Sequence, residues 1–146
     1  MPTFSQKNLR KGRYSQANQI YHITTTIANR QPLFNEFYLA RKIINTIKQS
    51  DALNHTTTLA FVVMPDHVHW LMQLKDKGTL QQVIRSMKSQ TAKVVGHPIW
   101  QAGYYDHAIR NDEDIVNIAR YIIANPIRAG LVKKASDYPY WDAIYL

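Results

Sequence analysis

The chain has 146 residues, with 18 lysines and arginines against 10 aspartates and glutamates, a formal net charge of +8 and a pI near 9.8. Apolar residues make up 45% of it and charged residues 19%, ordinary values for one soluble domain long enough to bury a core. There is no cysteine, which excludes disulfides, thiolate metal sites and a cysteine nucleophile and leaves imidazole, amide and carboxylate groups as possible ligands.

No apolar run reaches the ~20 residues of a membrane span, and the N-terminus lacks the apolar core of a signal peptide, so a cytoplasmic protein is expected. The positive charge points to a polyanionic partner, with DNA, RNA and anionic lipid all open at this stage. Residues 1–19 read as a basic arm with Lys7, Arg10, Lys11 and Arg13 close together beside Tyr14. It has no apolar periodicity, so it is either a segment that orders on a partner or a solvated tail.

Ile20 to Ile27 is rich in β-branched residues and predicts strand one, ended by Asn29 to Pro32. Asn35 is placed to cap a helix over roughly 36–49, in which Phe37, Ala40, Ile44 and Ile47 recur at helical spacing. Thr57 to Met64 and His67 to Leu74 read as strands two and three, a hairpin closed by Pro65-Asp66. Thr79 and Gln82 form a capping box ahead of a helix over 80–95, with Leu80, Val83, Ile84, Met87 and Val94 on its apolar side. Arg85, Lys88, Ser89 and Ala92 fall on the other side, a face that could track phosphates or simply be solvated.

A short fourth strand is expected at 104–109. Asn111 with Asp114 then resembles an N-cap and its partner three residues into a helix, with Asp112 and Glu113 adding negative charge to the first turn. The stripe of this third helix is Ile115, Ile118, Ala119, Ile122 and Ile123. The helix should stop near Asn125-Pro126, because a residue before proline is pushed out of helical geometry. The aromatic tail from Tyr138 to Trp141 and from Ile144 to Leu146 is expected to cover a core edge or offer stacking faces. The order β-α-β-β-α-β followed by a third helix predicts an α+β, ferredoxin-like split βαβ fold with its first two helices on one face of an antiparallel sheet. No repeat or long linker divides the chain, so a single domain over 1–146 is expected.

His67-Val68-His69 begins strand three. Residues two apart on a strand share a face, so the two imidazoles sit side by side and could hold two positions around one divalent ion. Alone, the spacing suits two ordinary strand histidines better. Helix three adds a second signal: with Ile115 at zero on a 100° wheel, the apolar stripe centres near 10°, whereas Tyr121 falls at about 240° and Asn125 at about 280°. Both lie off the stripe and one turn apart, so a phenol and an amide could serve one site. A phenol is a weak nucleophile at neutral pH, but it can attack a phosphodiester whose charge a metal offsets. Two imidazoles and an amide oxygen suit Mn²⁺ as well as Mg²⁺.

Longer blocks carry more information than these pairs. Arg10-Lys11-Gly12-Arg13-Tyr14, Tyr21-His22-Ile23-Thr24-Thr25, the stretch from Val63 to Met72 (VMPDHVHWLM), Trp100 to His107 (WQAGYYDH), and Ala119 to Val132 (ARYIIANPIRAGLV) occur in that order along the chain. On these blocks the sequence resembles the single-tyrosine HUH transposases of the IS200 type, most closely the REP-associated tyrosine transposases. The resemblance implies a ferredoxin-like fold and single-stranded DNA with hairpins as partner. It also implies cleavage beside the hairpin through a 5′-phosphotyrosine intermediate, in a bacterial, nucleoid-associated setting. By that resemblance His67 and His69 would be metal ligands, Tyr121 the nucleophile and Asn125 the third ligand, although IS200 relatives often carry Gln there. Lys7, Arg10, Lys11, Arg13, Arg85, Lys88 and Arg128 would contact DNA phosphates. Relatives occur as monomers and as homodimers, so either state is expected. His22 reads as a packed strand histidine, with a place beside His67 and His69 as the alternative, and Asp106 and His107 lie in a matched block without an assigned role. A non-catalytic regulator that binds DNA hairpins is the competing reading.

Overall fold

The computed structural model describes residues 18–110 and 113–144. Strand β3 (His67–Leu74) occupies the middle of the sheet and determines what each face contains. Its side chains alternate: Val68, Trp70, Met72 and Leu74 are buried on one side, and His67, His69 and Leu71 point to the other. On one flank β3 pairs antiparallel with β1 (Ile20–Thr26), and on the other with β2 (Thr56–Val63). Strand β4 (Tyr105–Ala108) lies outside β1, and β5 (Trp141–Ala143) lies outside β2. The order is therefore β4-β1-β3-β2-β5, every neighbouring pair antiparallel. Its first four strands have the ferredoxin-like arrangement.

Helices α1 (Phe37–Ala52) and α2 (Leu80–Val95) cover one face. There Ile43, Ile44 and Ile47 of α1 and Leu80, Ile84 and Met87 of α2 join the buried side of β3 in the larger core cluster. The capping box of α2 is present, with the Thr79 hydroxyl accepting from the Gln82 amide and the Gln82 side chain accepting from the Thr79 amide. Gly96 ends α2 in the left-handed region at φ 94°, where a side chain would be strained. Helix α3 (Ile115–Ile123) packs on the opposite face, where Ala119, Ile122 and Ile123 meet Ala60, Val62 and Leu71 in a second, smaller cluster.

Several local expectations need correction. Helix α1 begins at Phe37 and runs to Ala52; Leu33–Asn35 forms a separate 3-10 turn, and Glu36 rather than Asn35 holds the N-cap position, without a side-chain cap. Phe37 is not a stripe residue: it is 67% exposed, with its ring 6.5 Å from that of Tyr140. Val94 of α2 is exposed, and the stripe is completed by Thr91, whose hydroxyl is satisfied by the Met87 and Lys88 carbonyls. The N-cap of α3 is Asp114, which accepts from the Asn117 amide; Asn111 lies outside the described residues. The proline at 126 does not end the helical path. Ala124 forms a junction, and α4 (Asn125–Arg128) follows with Pro126 in its first turn, where a missing N–H costs nothing.

The aromatic tail supplies β5, which the sequence did not reveal, and it also straps the end of β2. Val63 N–H donates to the Tyr140 carbonyl, and the Tyr138 hydroxyl donates to the Val63 carbonyl at 2.5 Å. Burial, with a contribution from Tyr140, pushes the Tyr138 phenol up to about 12. A raised folded value means that the neutral phenol's stabilising contribution is whole below the unfolded pKa of ~10 and is lost as pH rises through about 12. Tyr138→Phe should cost about 0.5–1.5 kcal/mol at pH 8 in urea unfolding. It should also flatten the alkaline decline of stability above pH ~10; an alkaline limb identical to that of the wild type would refute this.

Candidate functional site

The hairpin turn between β2 and β3 is tied from three directions. Met64 N–H donates to the His67 carbonyl at 2.8 Å, Ile27 N–H to the Asp66 carbonyl at 2.9 Å, and Phe34 N–H to the Pro65 carbonyl at 3.0 Å. The Pro-Asp pair is thus held before any ligand arrives. The Asp66 carboxylate lies 2.7 Å from His67 Nδ1 and accepts at 2.8 Å from Arg30 Nε. An ionised carboxylate can only accept, so His67 carries its proton on Nδ1 and leaves Nε2 free. Burial pulls the Asp66 carboxyl up, but hydrogen bonds from His67 and Arg30, and their charges, outweigh it and hold the group below its usual value.

His69 lies beside His67 on the same face, with ring centroids 5.0 Å apart. Its Nδ1 is 3.1 Å from Thr24 Oγ1 and 3.0 Å from His22 Nε2. His22 thus takes the alternative place, on the same face as the pair, and it is packed there against His69. The register accounts for this, because Thr24 is the cross-strand partner of His69, and His22, two residues away on β1, shares its side of the sheet. On the other flank His22 is the partner of His107, whose Nε2 is 3.0 Å from a Glu113 carboxylate oxygen. The face thus carries a row of imidazoles across β4, β1 and β3. Burial, with a contribution from His107, lowers His22 to about 4; burial, with nearby His22, His67 and Arg128, lowers His69 to about 3. Both rings are neutral at pH 7, the state in which imidazole ligates a metal.

Tyr121 and Asn125 come from the helices on this face. Tyr121 is 59% exposed, off the buried stripe as the wheel predicts. Asn125 is half-buried and opens α4, so the Ala124 junction separates it from Tyr121 and the two do not share one continuous helix. Arg128, at the end of α4, lies over the Tyr121 ring at 3.7 Å from its centroid, and its charge is felt at His69. Sequence reasoning had no signal for this stack, since it depends on the turn after Pro126. Among the described residues no group of three or more His, Asp or Glu side chains forms a metal-binding cluster. The donors that could take a divalent ion are the Nε2 atoms of His67 and His69, with Asn125 an amide four residues beyond Tyr121.

The remaining sequence candidates lie elsewhere. Lys7, Arg10, Lys11 and Arg13 are outside the described residues. Arg85 and Lys88 line a groove of about 900 Å³ between α2 and the 96–104 segment, with Ile99, Trp100 and Tyr104 as apolar walls. Lys88 is committed there to the carbonyls of Gln101 and Gly103. Asp106 is buried on the helix-covered side of the sheet. No described helix is long and apolar enough to cross a membrane.

A ferredoxin-like antiparallel sheet with a His-x-His strand and a tyrosine-bearing helix on the same face defines the class as single-tyrosine transposases. Residues 15–125 match the family described as "Transposase IS200 like", and the chain belongs to that family. A REP-associated tyrosine transposase of Escherichia coli K12 is 30% identical over 132 residues, covering 88% of this chain and 78% of its own. A Haemophilus influenzae protein is 27% identical over 137 residues, covering 83% of this chain and 77% of its own. The structure of a REP-associated tyrosine transposase bound to a REP hairpin superimposes with a TM-score of 0.78 at 26% identity, covering 97% of this chain and 82% of that one. These relatives are named as tyrosine transposases, an enzyme family, and the fold is theirs.

The stack of Arg128 on Tyr121 is an exposed cation–π pair. A double-mutant cycle with Arg128→Ala and Tyr121→Ala should return a coupling of about 0.5–1 kcal/mol in unfolding stability. A coupling indistinguishable from zero would mean that the stack does not persist in solution.

Proposed function

We propose that the protein is a metal-dependent endonuclease and strand transferase that acts on single-stranded DNA next to a hairpin. The observation that carries this reading is the side-by-side pair of imidazoles, His67 and His69, on the same face of the sheet as an exposed phenol, Tyr121, that is stacked under Arg128. The relative solved with a REP hairpin supports the substrate class. The Tyr121 oxygen attacks the phosphorus, and the bond to the 3′-side oxygen breaks. The phenol's proton is lost as the ester forms, and the departing oxygen takes up a proton to become a free 3′-hydroxyl. The other fragment stays joined to Tyr121 through its 5′-phosphate, and attack by a 3′-hydroxyl reverses the step, so no external energy is needed to rejoin strands. A divalent ion, Mg²⁺ or Mn²⁺, held by His67, His69 and Asn125, would offset the phosphate charge.

The other residues act on binding. Arg128 offers a planar, permanently charged donor set beside the phenol, suited to a phosphodiester. Arg85 at the α2 groove and the arm residues Lys7, Arg10, Lys11 and Arg13 contact the DNA backbone and set its position without reading sequence. Lys88, held in place by the Gln101 and Gly103 carbonyls, lines the same groove and offers its charge to the DNA backbone there.

Incubation with Mn²⁺ and hairpin-bearing oligonucleotides drawn from repeats flanking the gene should give a covalent protein–DNA adduct resolved by denaturing electrophoresis. Tyr121→Phe should abolish the adduct while leaving hairpin affinity within about twofold, and His67→Ala or a chelator should reduce adduct formation by about 10²-fold or more, in line with lost transition-state electrostatics. Tight, salt-sensitive binding by a wild type that never forms an adduct would instead establish a non-catalytic hairpin-binding regulator.

A further inference from the structure

His22 lies outside the His-x-His pair, yet it makes a direct side-chain contact with it. Its Nε2 is 3.0 Å from His69 Nδ1, an atom that Thr24 Oγ1 also approaches to 3.1 Å. A neutral imidazole that gives one nitrogen to a cation carries its proton on the other, and that proton needs an acceptor. For His67 the acceptor is Asp66, fixed in turn by Arg30. His69 is served by the ring of His22 and the hydroxyl of Thr24, both delivered by β1. The antiparallel register between β1 and β3 sets this contact, with Thr24 opposite His69 and His22 opposite Leu71.

We infer that His22, together with Thr24, is a positioning residue that holds His69 in the Nδ1–H tautomer and turns its Nε2 toward the divalent ion. The inference rests on the metal-site reading of His67 and His69. In this role His22 keeps its own proton on Nδ1 and presents Nε2 as an acceptor, so the two rings form a directed chain from β1 to the ion. A carboxylate in its place would strengthen the ligand but add a negative charge beside an incoming phosphodiester. A neutral imidazole orients the ligand without that repulsion, while Asp66, the one carboxylate in contact with the pair among the described residues, is already matched by Arg30.

The test uses the full chain without DNA. Mn²⁺ affinity is read by electron paramagnetic resonance, the number of coordinated imidazole nitrogens by electron spin-echo modulation, and the His69 tautomer by ¹⁵N chemical shifts of the metal-free, histidine-labelled protein. The His22→Leu/Thr24→Val double variant should bind Mn²⁺ about 10–100-fold more weakly, the range for loss of a hydrogen-bond partner behind a ligand. Its His69 ring should shift to a mixture of tautomers. His22→Gln, whose amide oxygen can accept the same proton, should recover most of the affinity and guards against a folding defect. The wild type should show two coordinated imidazoles. Unchanged affinity and tautomer in the double variant would overturn the inference, as would a third coordinated imidazole lost in His22→Gln, which would make His22 a ligand. If the wild type and His69→Ala bind Mn²⁺ equally weakly, the metal-site reading falls. The nitrogen spectrum still decides whether His22 and Thr24 set the tautomer.

Discussion

Burial of one side of β3 is the constraint on which the rest depends. Val68, Trp70, Met72 and Leu74 sit against α1 and α2 with almost no exposure, and each large apolar side chain so buried contributes about 1.5–3 kcal/mol. A slip of one residue against β1 or β2 would exchange the faces, sending His67 and His69 into that core and the apolar set to the other side. The placement of the imidazoles is therefore a consequence of apolar packing elsewhere. The same alternation carries across the sheet, because cross-strand partners share a face: Thr24 opposes His69 on one flank and Val62 opposes it on the other. One flank supplies a polar neighbour, and the other supplies an apolar seat for α3.

The two halves of the site are held with different firmness. The histidine half rests on the central strand, on a turn tied by three backbone hydrogen bonds, and on the Arg30–Asp66–His67 chain. The tyrosine half rests on a helix of nine residues that buries Ala119, Ile122 and Ile123, followed by a junction at Ala124. Helices α1 and α2 have sixteen residues each and share the larger core. A fixed histidine face and a lightly seated, exposed phenol would suit the proposed reaction, in which the phenol must meet a polymer backbone and then remain attached to it.

Much of this was legible in the sequence, and for identifiable reasons. The βαββαβ order could be read because strands 1 to 3 alternate or run apolar while α1 and α2 repeat at 3.6, and the Thr79–Gln82 box marked the start of α2 to the residue. The off-stripe position of Tyr121 followed from the wheel alone. What escaped was non-local. Strand β5 has three residues, too few for a period, and exists only because β2 offers an open edge. His22 could not be assigned because its neighbours depend on the register between β1 and β3, 47 residues apart in the chain. Proline at 126 suggested a stop, but at the first turn of a new helix it is compatible with continued winding, and that winding returns Arg128 to Tyr121.

The electrostatics of the face complete the argument. Burial keeps His22 and His69 unprotonated well below neutral pH, so protons offer little competition to a cation there. The carboxylate that contacts the pair is paired with Arg30, and Arg128 adds a positive charge over the phenol. In the proposed reaction a phosphodiester approaching Tyr121 would meet imidazoles and a guanidinium and, among the described residues, no unpaired carboxylate in contact with the histidine pair. In the proposed function, ligands that are imidazoles rather than carboxylates would leave the cation's charge available to the substrate. That division of charge is what a site needs if one nucleophile is to attack an anion, hold the product as an ester and allow the reverse attack from the same position.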